Sequence, residues 1–163
     1  AALIRCANVN EGRKSMSVIE SVREFILGCP FLAEGKLNVN HLGAEPPEYV
    51  IQRVETDEIL KKYSDGGTLK QFDFIFGSRE RVGGRVKDHL AIADFYERLA
   101  EWIAQKDGSG ELPRLEEGKK AQAISVLAPG VMRDQAGDSA RYQLRCRLIY
   151  FEGGERQWEM KNW

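Results

Sequence analysis

The chain has 163 residues, of which 42% are hydrophobic and 30% charged, and its formal net charge is -1. These values are ordinary for a globular domain with its own core. They argue against a free-standing nucleic-acid binder, which usually carries a strong basic excess. No apolar run approaches the roughly 20 residues that a membrane-spanning helix needs, so we expect no membrane partner.

Residues 1–15 precede the first predicted element and lack the apolar core and cleavage site of a signal peptide. The Glu-Gly-Arg-Lys stretch shortly before Met16 can be encoded by a purine-rich sequence that resembles a bacterial ribosome-binding site. We therefore expect Met16 to be the natural start and residues 1–15 to be a translated leader. The alternative is that these residues form a flexible native arm.

The first predicted helix covers residues 17–28. Ser17 and Glu20 have the spacing of a capping box, in which each residue bonds to the backbone of the other. An apolar stripe then follows the helical period: Val18, Val22, Phe25 and Ile26. The Gly-Cys-Pro sequence at 28–30 ends the helix, and we expect Cys29 to be rather exposed.

Two strands are predicted next, over residues 36–42 and 48–56, and we interpret them as a hairpin. Residues 57–67 then form either a long connection or a strand broken by a bulge. This segment ends with Asp65, Gly66 and Gly67. The glycine pair is typical of a turn, and we also consider these three residues candidate contacts with a partner subunit.

The clearest predicted strand covers residues 68–80. Its alternation places three aromatic side chains on one face: Phe72, Phe74 and Phe76. Such a face needs a covering layer. A long helix predicted over residues 87–106 is the natural cover, because it has its own apolar stripe. The stripe consists of Ile92, Phe95, Tyr96, Leu99 and Ile103, with Trp102 beside it.

The last two predicted strands cover residues 121–134 and 140–152 and run antiparallel to each other. The first is expected to be interrupted or bent at Pro129-Gly130, because proline cannot donate to a sheet ladder. The second alternates apolar residues on one face: Tyr142, Leu144, Cys146, Leu148 and Tyr150. Cys146 is therefore predicted to be a buried structural thiol rather than a nucleophile.

The predicted order of elements is α-β-β-β-α-β-β. The strands cluster instead of alternating one-for-one with helices. This favours an α+β fold in which two helices pack on one face of a mostly antiparallel sheet. We expect one domain over residues 16–152, followed by a C-terminal tail over residues 153–163.

The sequence contains no motif that marks a nucleotide, hydrolase or metal site: GxxxxGKS/T, GxGxxG and GxSxG are all absent. Cys6, Cys29 and Cys146 form no CxxC pair and are expected to be reduced thiols of a cytosolic protein. His41 and His89 lie far apart, without neighbouring ligands. We accordingly predict no catalytic residue, no cofactor and no metal.

Arg141, Arg145 and Arg147 form a basic stripe on the other face of the last strand. One interpretation is a solvated sheet face, because outward faces are normally polar. The functional alternative is contact with acidic residues of another subunit or with nucleic-acid phosphate. Three arginines neutralise only a few phosphates, so a DNA contact made by one chain would be weak.

The C-terminal tail contains three large apolar residues among charges: Trp158, Met160 and Trp163. They either fold back onto their own domain, because aromatic side chains seek cover, or contact a neighbouring copy or partner. Tryptophan and methionine are enriched in the cores of interfaces. Both possibilities stay open.

Four stretches carry a resemblance to a known family. They are SVIESVREFILGCPFL, EYVIQRVETDEILKKYSDGGTLKQFDFIFGSRE, FYERLAEWI and ARYQLRCRLIYF. With the predicted order of elements, they make residues 16–152 similar to the tail-terminator and minor-capsid (head–tail joining) proteins of long-tailed bacteriophages, of the prophage-encoded kind.

The resemblance implies a structural virion protein without enzymatic activity or cofactor. Proteins of this family assemble as a ring, typically hexameric, that caps the tail tube and forms part of the joint to the head. The implied partners are other copies of the chain, the tail tube protein and the head-completion protein, with DNA passing transiently through the lumen. The implied location is the tail or neck of the virion and, during assembly, the bacterial cytoplasm.

Two alternatives stay open beside the ring subunit. One is a monomeric adaptor, or another minor structural protein of a phage, that uses its tail as a peptide ligand. The other is a small transferase-like enzyme with a pocket under the long helix, although no small-molecule substrate is expected. Such an enzyme would need clustered titratable residues in a deep pocket.

Overall fold

The computed structural model describes residues 16–32, 36–40, 48–81, 86–136 and 139–153. Within these ranges the chain forms two helices, α1 (Val18–Leu27) and α2 (Val86–Ser109), and six strands. The strands are β1 (Lys36–Val39), β2 (Glu48–Val54), β3 (Ile59–Lys62), β4 (Thr68–Arg81), β5 (Lys119–Ala136) and β6 (Ser139–Glu152). They form one mostly antiparallel sheet in the order β1-β2-β4-β6-β5, with β3 paired to β4 outside this path. The predicted α+β class is confirmed.

Helix α1 begins with the predicted capping box. The Ser17 side chain accepts a hydrogen bond from the Glu20 N–H at 3.3 Å, and the Glu20 carboxylate accepts one from the Ser17 N–H at 3.3 Å. This pair satisfies backbone donors that the first turn leaves free. On the inner stripe of the helix, Val22 and Ile26 are fully buried.

The exposure predicted for Cys29 is wrong, because this residue is only 4% exposed. Its N–H donates to the Ile26 carbonyl at 2.9 Å, which continues the last turn of α1 and directs the thiol into the core. Burial raises the pKa of the Cys29 thiol. The Gly-Cys-Pro sequence ends the helix as predicted, but it does not lead the chain out to the surface at the cysteine.

The predicted hairpin of the first two strands is also wrong, because β1 and β2 run parallel. Leu37 pairs with Tyr49 and Val39 pairs with Ile51 in the backbone register. Asn40 ends β1 in the left-handed conformation (φ 58°) and donates its N–H to the Ile51 carbonyl at 3.0 Å. The alternation of side chains is the same in both directions along a strand. The pattern that predicts the two strands therefore does not determine how they pair.

Residues 57–67 contain a bulged strand, which is one of the two predicted alternatives. Strand β3 pairs antiparallel with the beginning of β4, and its register shifts between Ile59 and Lys61. The observed order is therefore α-β-β-β-β-α-β-β, with one strand more than predicted. All four residues of β3 are exposed.

The centre of the sheet is the antiparallel pair of β4 and β6, which spans 14 residues of each strand. The three phenylalanines of β4 are buried, and Phe76 lies under α2 as predicted: its ring is 6.0 Å from the Tyr96 ring and 6.4 Å from the Phe95 ring. Helix α2 buries Ile92, Tyr96, Leu99, Trp102 and Ile103. Neither helix in the described ranges is long and apolar enough to cross a membrane.

Strand β5 is irregular at the predicted Pro129-Gly130 position but continues through it as one strand. Its register with β6 shifts on both sides of Ala128, before and after Pro129-Gly130. A Cβ atom on Gly130 would lie 2.5 Å from the Cβ of Tyr96. Only glycine therefore allows β5 to approach α2 this closely.

Candidate functional site

The two sides of the sheet differ, because both helices pack on the same side. The helices also touch each other there, through the Phe25 and Trp102 rings at 5.0 Å. We call the opposite side the open face. Its central residues are Val50 and Gln52 of β2, Gln71, Asp73 and Ile75 of β4, and Arg141, Gln143, Arg145 and Arg147 of β6. The three arginines of the predicted basic stripe thus lie together on a face that neither described helix covers.

Two of these arginines share one buried carboxylate. Asp73 is opposite Arg147 in the register of β4 and β6 and is fully buried. Arg147 donates two hydrogen bonds to it, from Nε to Oδ1 at 2.7 Å and from Nη2 to Oδ2 at 3.0 Å. Arg145 donates a third, from Nη2 to Oδ2 at 3.2 Å. This forked geometry fixes both guanidinium groups relative to the strand.

Burial alone would raise the pKa of the Asp73 carboxyl. Hydrogen bonds from Arg147 and Arg145 outweigh that effect and hold the pKa below its ordinary value. The same contact raises the pKa of Arg147. The cluster therefore stays ionised at neutral pH, with one negative charge against two positive ones, and the open face keeps a positive excess.

The third arginine borders a cavity on the same face. Arg141 Nε is buried and has no hydrogen-bond partner among the described residues. The cavity beside it has a volume of about 140 Å³, with polar lining from Asn40, Gln52 and Gln143 and apolar lining that includes Ile75. A buried donor without an acceptor destabilises a fold by about 1–3 kcal/mol. The site therefore has one buried donor, Arg141 Nε, without an acceptor among the described residues.

Asp65, Gly66 and Gly67, predicted as possible partner contacts, form the turn between β3 and β4. Gly66 has a φ of 91°, and the Asp65 carboxylate accepts a hydrogen bond from the Gly67 N–H at 2.9 Å. A Cβ atom on Gly67 would lie 2.8 Å from the Phe151 ring. These contacts confirm the turn. A role in partner binding stays a prediction.

The remaining predicted contact residues cannot be placed on this face. Trp158, Met160 and Trp163 lie outside the described residues, and so does His41. The partner role of the tail is therefore still a prediction.

Titratable side chains also meet on the helix-covered side, where the enzyme alternative would need them. The Ser78 and Tyr96 hydroxyls are 2.6 Å apart, and Tyr96 donates to the Tyr142 carbonyl at 3.2 Å. His89 lies in the first turn of α2 as predicted, with Nδ1 2.8 Å from the Tyr142 hydroxyl. Burial raises the pKa of Tyr96 and of Tyr142. These phenols stay protonated and fasten α2 to the sheet.

A larger cleft, of about 330 Å³, lies beside the beginning of α1 rather than under α2. Its cationic lining includes Lys70 and Lys119. Lys70 forms ion pairs with Glu152 and, at 3.8 Å, with Glu58, while Lys119 pairs with Glu116 at 2.7 Å. Carboxylates of the same domain therefore balance these lysines. The described ranges contain no group of three or more potential metal ligands.

Sequence reasoning missed the acidic member of the arginine cluster. Asp73 stands between Phe72 and Phe74 in β4. A carboxylate between two aromatic residues of a strand, together with a later strand of alternating arginines, is a signal for cross-strand pairing. The signal does not give the register, however, and the cavity residues Asn40 and Gln52 come from two strands whose parallel pairing was not predicted.

Comparison with protein-family models and with curated protein sequences finds no match to this chain.

Proposed function

We propose that the protein is a structural subunit of a long-tailed bacteriophage, a tail terminator that assembles as a ring, caps the tail tube and joins it to the head. The open face is the observation that carries this proposal. It combines arginines held by Asp73, the buried Arg141 Nε beside a cavity, and apolar neighbours such as Val50 and Ile75. Arginine and apolar groups together are typical of the cores of protein interfaces.

The resemblance found in the sequence supports the same proposal. Its four stretches correspond to α1, to the segment from β2 through β4, to the middle of α2 and to β6. These elements form both layers of the domain. On this proposal the protein has no enzymatic activity, its partners are the tail tube and head-completion proteins, and its place is the tail or neck of the virion.

The charge of the chain is compatible with a ring through which DNA passes. The formal net charge is -1, so a lumen made of several copies would not hold DNA by a large basic excess. The positive excess on the open face is instead available for contacts between proteins.

The test is the assembly state of the purified protein, alone and with tail tubes. Multi-angle light scattering over a range of concentrations, with negative-stain images, should show a closed ring; six copies of the 18.5 kDa chain have a mass of about 111 kDa. Residues 16–163 and 1–163 should be compared. A chain that forms no ring and binds no tail tube would contradict the proposal, whereas a monomer bound to tubes would favour the adaptor.

The tail provides a second test. Deletion of residues 154–163 keeps the hydrogen bond from the Gly153 N–H to the Gly118 carbonyl at 2.9 Å, so the end of β6 stays anchored. We expect this deletion to weaken assembly without lowering the unfolding temperature. A lower unfolding temperature with unchanged assembly would instead show that the tail folds back onto its own domain.

A further inference from the structure

The outer surface of α2 carries a row of acidic side chains. Asp94, Glu97 and Glu101 are exposed and follow one another at intervals of three and four residues, which places them on one stripe of the helix. Among the described residues, none of the three carboxylates takes part in an ion pair or a side-chain hydrogen bond. The nearby Arg98 forms no ion pair with them, and its guanidinium lies over the Phe31 ring at 4.4 Å. We call these three residues the acidic stripe.

A group of arginines lies on the opposite side of the domain. The open face presents Arg141 beside its cavity and Arg145, whose side chain is 44% exposed. Arg145 gives one hydrogen bond to Asp73 where Arg147 gives two, so more of its donors are available. The acidic stripe and the arginines of the open face therefore carry opposite charges on opposite sides of the domain.

The two charged rows also have similar lengths. Seven residues of helix separate Asp94 from Glu101, a distance of about 10 Å at the helical rise. Four residues of strand separate Arg141 from Arg145, about 13 Å at the rise of a strand. A helix laid along β6 can therefore place carboxylates near both guanidinium groups.

We infer that copies of this chain associate head to tail, with the acidic stripe of one copy on the open face of the next and a carboxylate in the Arg141 cavity. The inference deepens the proposed ring function and rests on it. A two-fold contact between identical faces would bring arginine against arginine, which is unfavourable. A contact between different faces avoids this and produces a ring where the rotation closes.

The occupant favoured by these charges is a second copy rather than nucleic acid. Asp73 offsets part of the positive charge of Arg145 and Arg147, which weakens attraction for phosphate. A duplex would also meet the face of a chain whose formal net charge is negative. The acidic stripe supplies the complementary charge on the same molecule, so each copy of the chain carries one stripe and one open face.

Charge reversal tests the contact in both directions. Arg141→Glu and Glu97→Arg are each expected to weaken self-association at least about tenfold, because each places like charges across the interface. The double variant, with both changes in one chain, should restore assembly. An equimolar mixture of the two single variants should also assemble, because every contact in an alternating ring then joins opposite charges.

The matched control variants make the same changes of charge at positions outside the proposed contact. Arg114→Glu lies in the exposed loop before β5, and Glu24→Arg lies on the outer side of α1. Both should assemble like the unmodified chain. Circular dichroism and thermal melting verify that each variant is folded. Glu97 is an exposed position of the helix, so the Glu97→Arg variant is expected to fold.

Each result has one meaning. Single variants that assemble normally, or a folded double variant that does not recover, would overturn the inference while the ring function stands. An unmodified chain that binds tail tubes but never associates with itself would overturn the inference and favour the adaptor over the ring. If the unmodified chain neither associates with itself nor binds tail tubes, the proposed function is rejected as well. Salt-sensitive binding of duplex DNA that Arg141→Glu removes, without self-association, would identify nucleic acid as the occupant instead.

Discussion

Neighbouring residues of strand β4 meet opposite surroundings. Phe72, Phe74 and Phe76 lie under the helices and pack on aromatic rings, among them Phe95 and Tyr96. The residues between them belong to the open face and contact polar groups: Gln71 donates to the Asp57 carbonyl at 2.6 Å, and Asp73 binds two arginines. The same strand therefore holds the domain together on one side and carries fixed charges on the other.

Two carboxyl groups of β4 show the same difference in their proton affinity. On the open face, hydrogen bonds from arginines outweigh burial and lower the pKa of Asp73. On the helix-covered side, burial raises the pKa of Glu80, and a hydrogen bond from Ser78 offsets this only in part. The open face thus stabilises the charged form of its carboxyl group, whereas burial on the helix-covered side disfavours it.

The largest effect on stability is expected on the helix-covered side. Phe74→Ala should lower the free energy of unfolding by about 3–5 kcal/mol, because Phe74 is fully buried and truncation leaves a cavity. The matched change on the open face, Ile75→Ala, should lower it by about 1–2 kcal/mol, because Ile75 is only partly buried. Urea unfolding measures both. Equal losses would mean that the open face is packed as tightly as the core.

A smaller loss is expected from the open-face carboxylate. Asp73→Asn keeps the shape of the side chain and removes the charge that holds Arg145 and Arg147 together. We expect a loss of about 2 kcal/mol, in the range of hydrogen bonds to charged groups. Asp94→Asn, an exposed carboxylate on α2, is the control and should change stability little. An unchanged unfolding midpoint for Asp73→Asn would show that the cluster does not stabilise the monomer.

The pH dependence of stability should have opposite signs for the two carboxyl groups. The pKa of Asp73 is lowered in the fold, so its contribution is fully present above the unfolded value of about 3.9 and is lost as the pH falls through the folded pKa. The pKa of Glu80 is raised, so stability is lost as the pH rises from about 4.3 through the folded pKa.

Variants separate these two contributions. The stability advantage of the unmodified chain over Asp73→Asn should shrink on acidification. Glu80→Gln should instead match the unmodified chain in acid and exceed it at neutral pH, because the neutral amide mimics the protonated acid. Urea midpoints of the three chains across this pH range measure both trends. Parallel pH curves for the two variants would contradict the contrast between the faces.

Local patterns were sufficient to predict most elements of the fold. The Ser17–Glu20 capping box, the apolar stripe of α2 and the alternation in β4 and β6 each depend on residues close together in the sequence. Strand direction depends on connections and tertiary contacts, which explains why the parallel pairing of β1 and β2 was not predicted. The burial of Cys29 accompanies backbone hydrogen bonds that continue the last turn of α1 and packing in the core, which no composition pattern indicates.

The candidate site was predictable only in part, for the same reason. Alternation along β6 placed Arg141, Arg145 and Arg147 on one face, and they lie there. Their partner Asp73 lies 74 residues before Arg147, and only the register of two long strands brings them together. Cavities likewise depend on side chains from several strands, so the Arg141 cavity could not be derived from any single segment.

The smallest predicted difference lies within the arginine pair. Arg147 binds Asp73 through two hydrogen bonds and Arg145 through one longer bond, and the Arg145 side chain is the more exposed, at 44% against 31%. Arg147→Gln should therefore lower the free energy of unfolding by about 1–2 kcal/mol, and Arg145→Gln by less than about 1 kcal/mol. Assembly should show the reverse order, because Arg145 has more donors left for a second copy. If Arg147→Gln impaired assembly more than Arg145→Gln at equal folding, the free donors of Arg145 would not be the contact with the second copy.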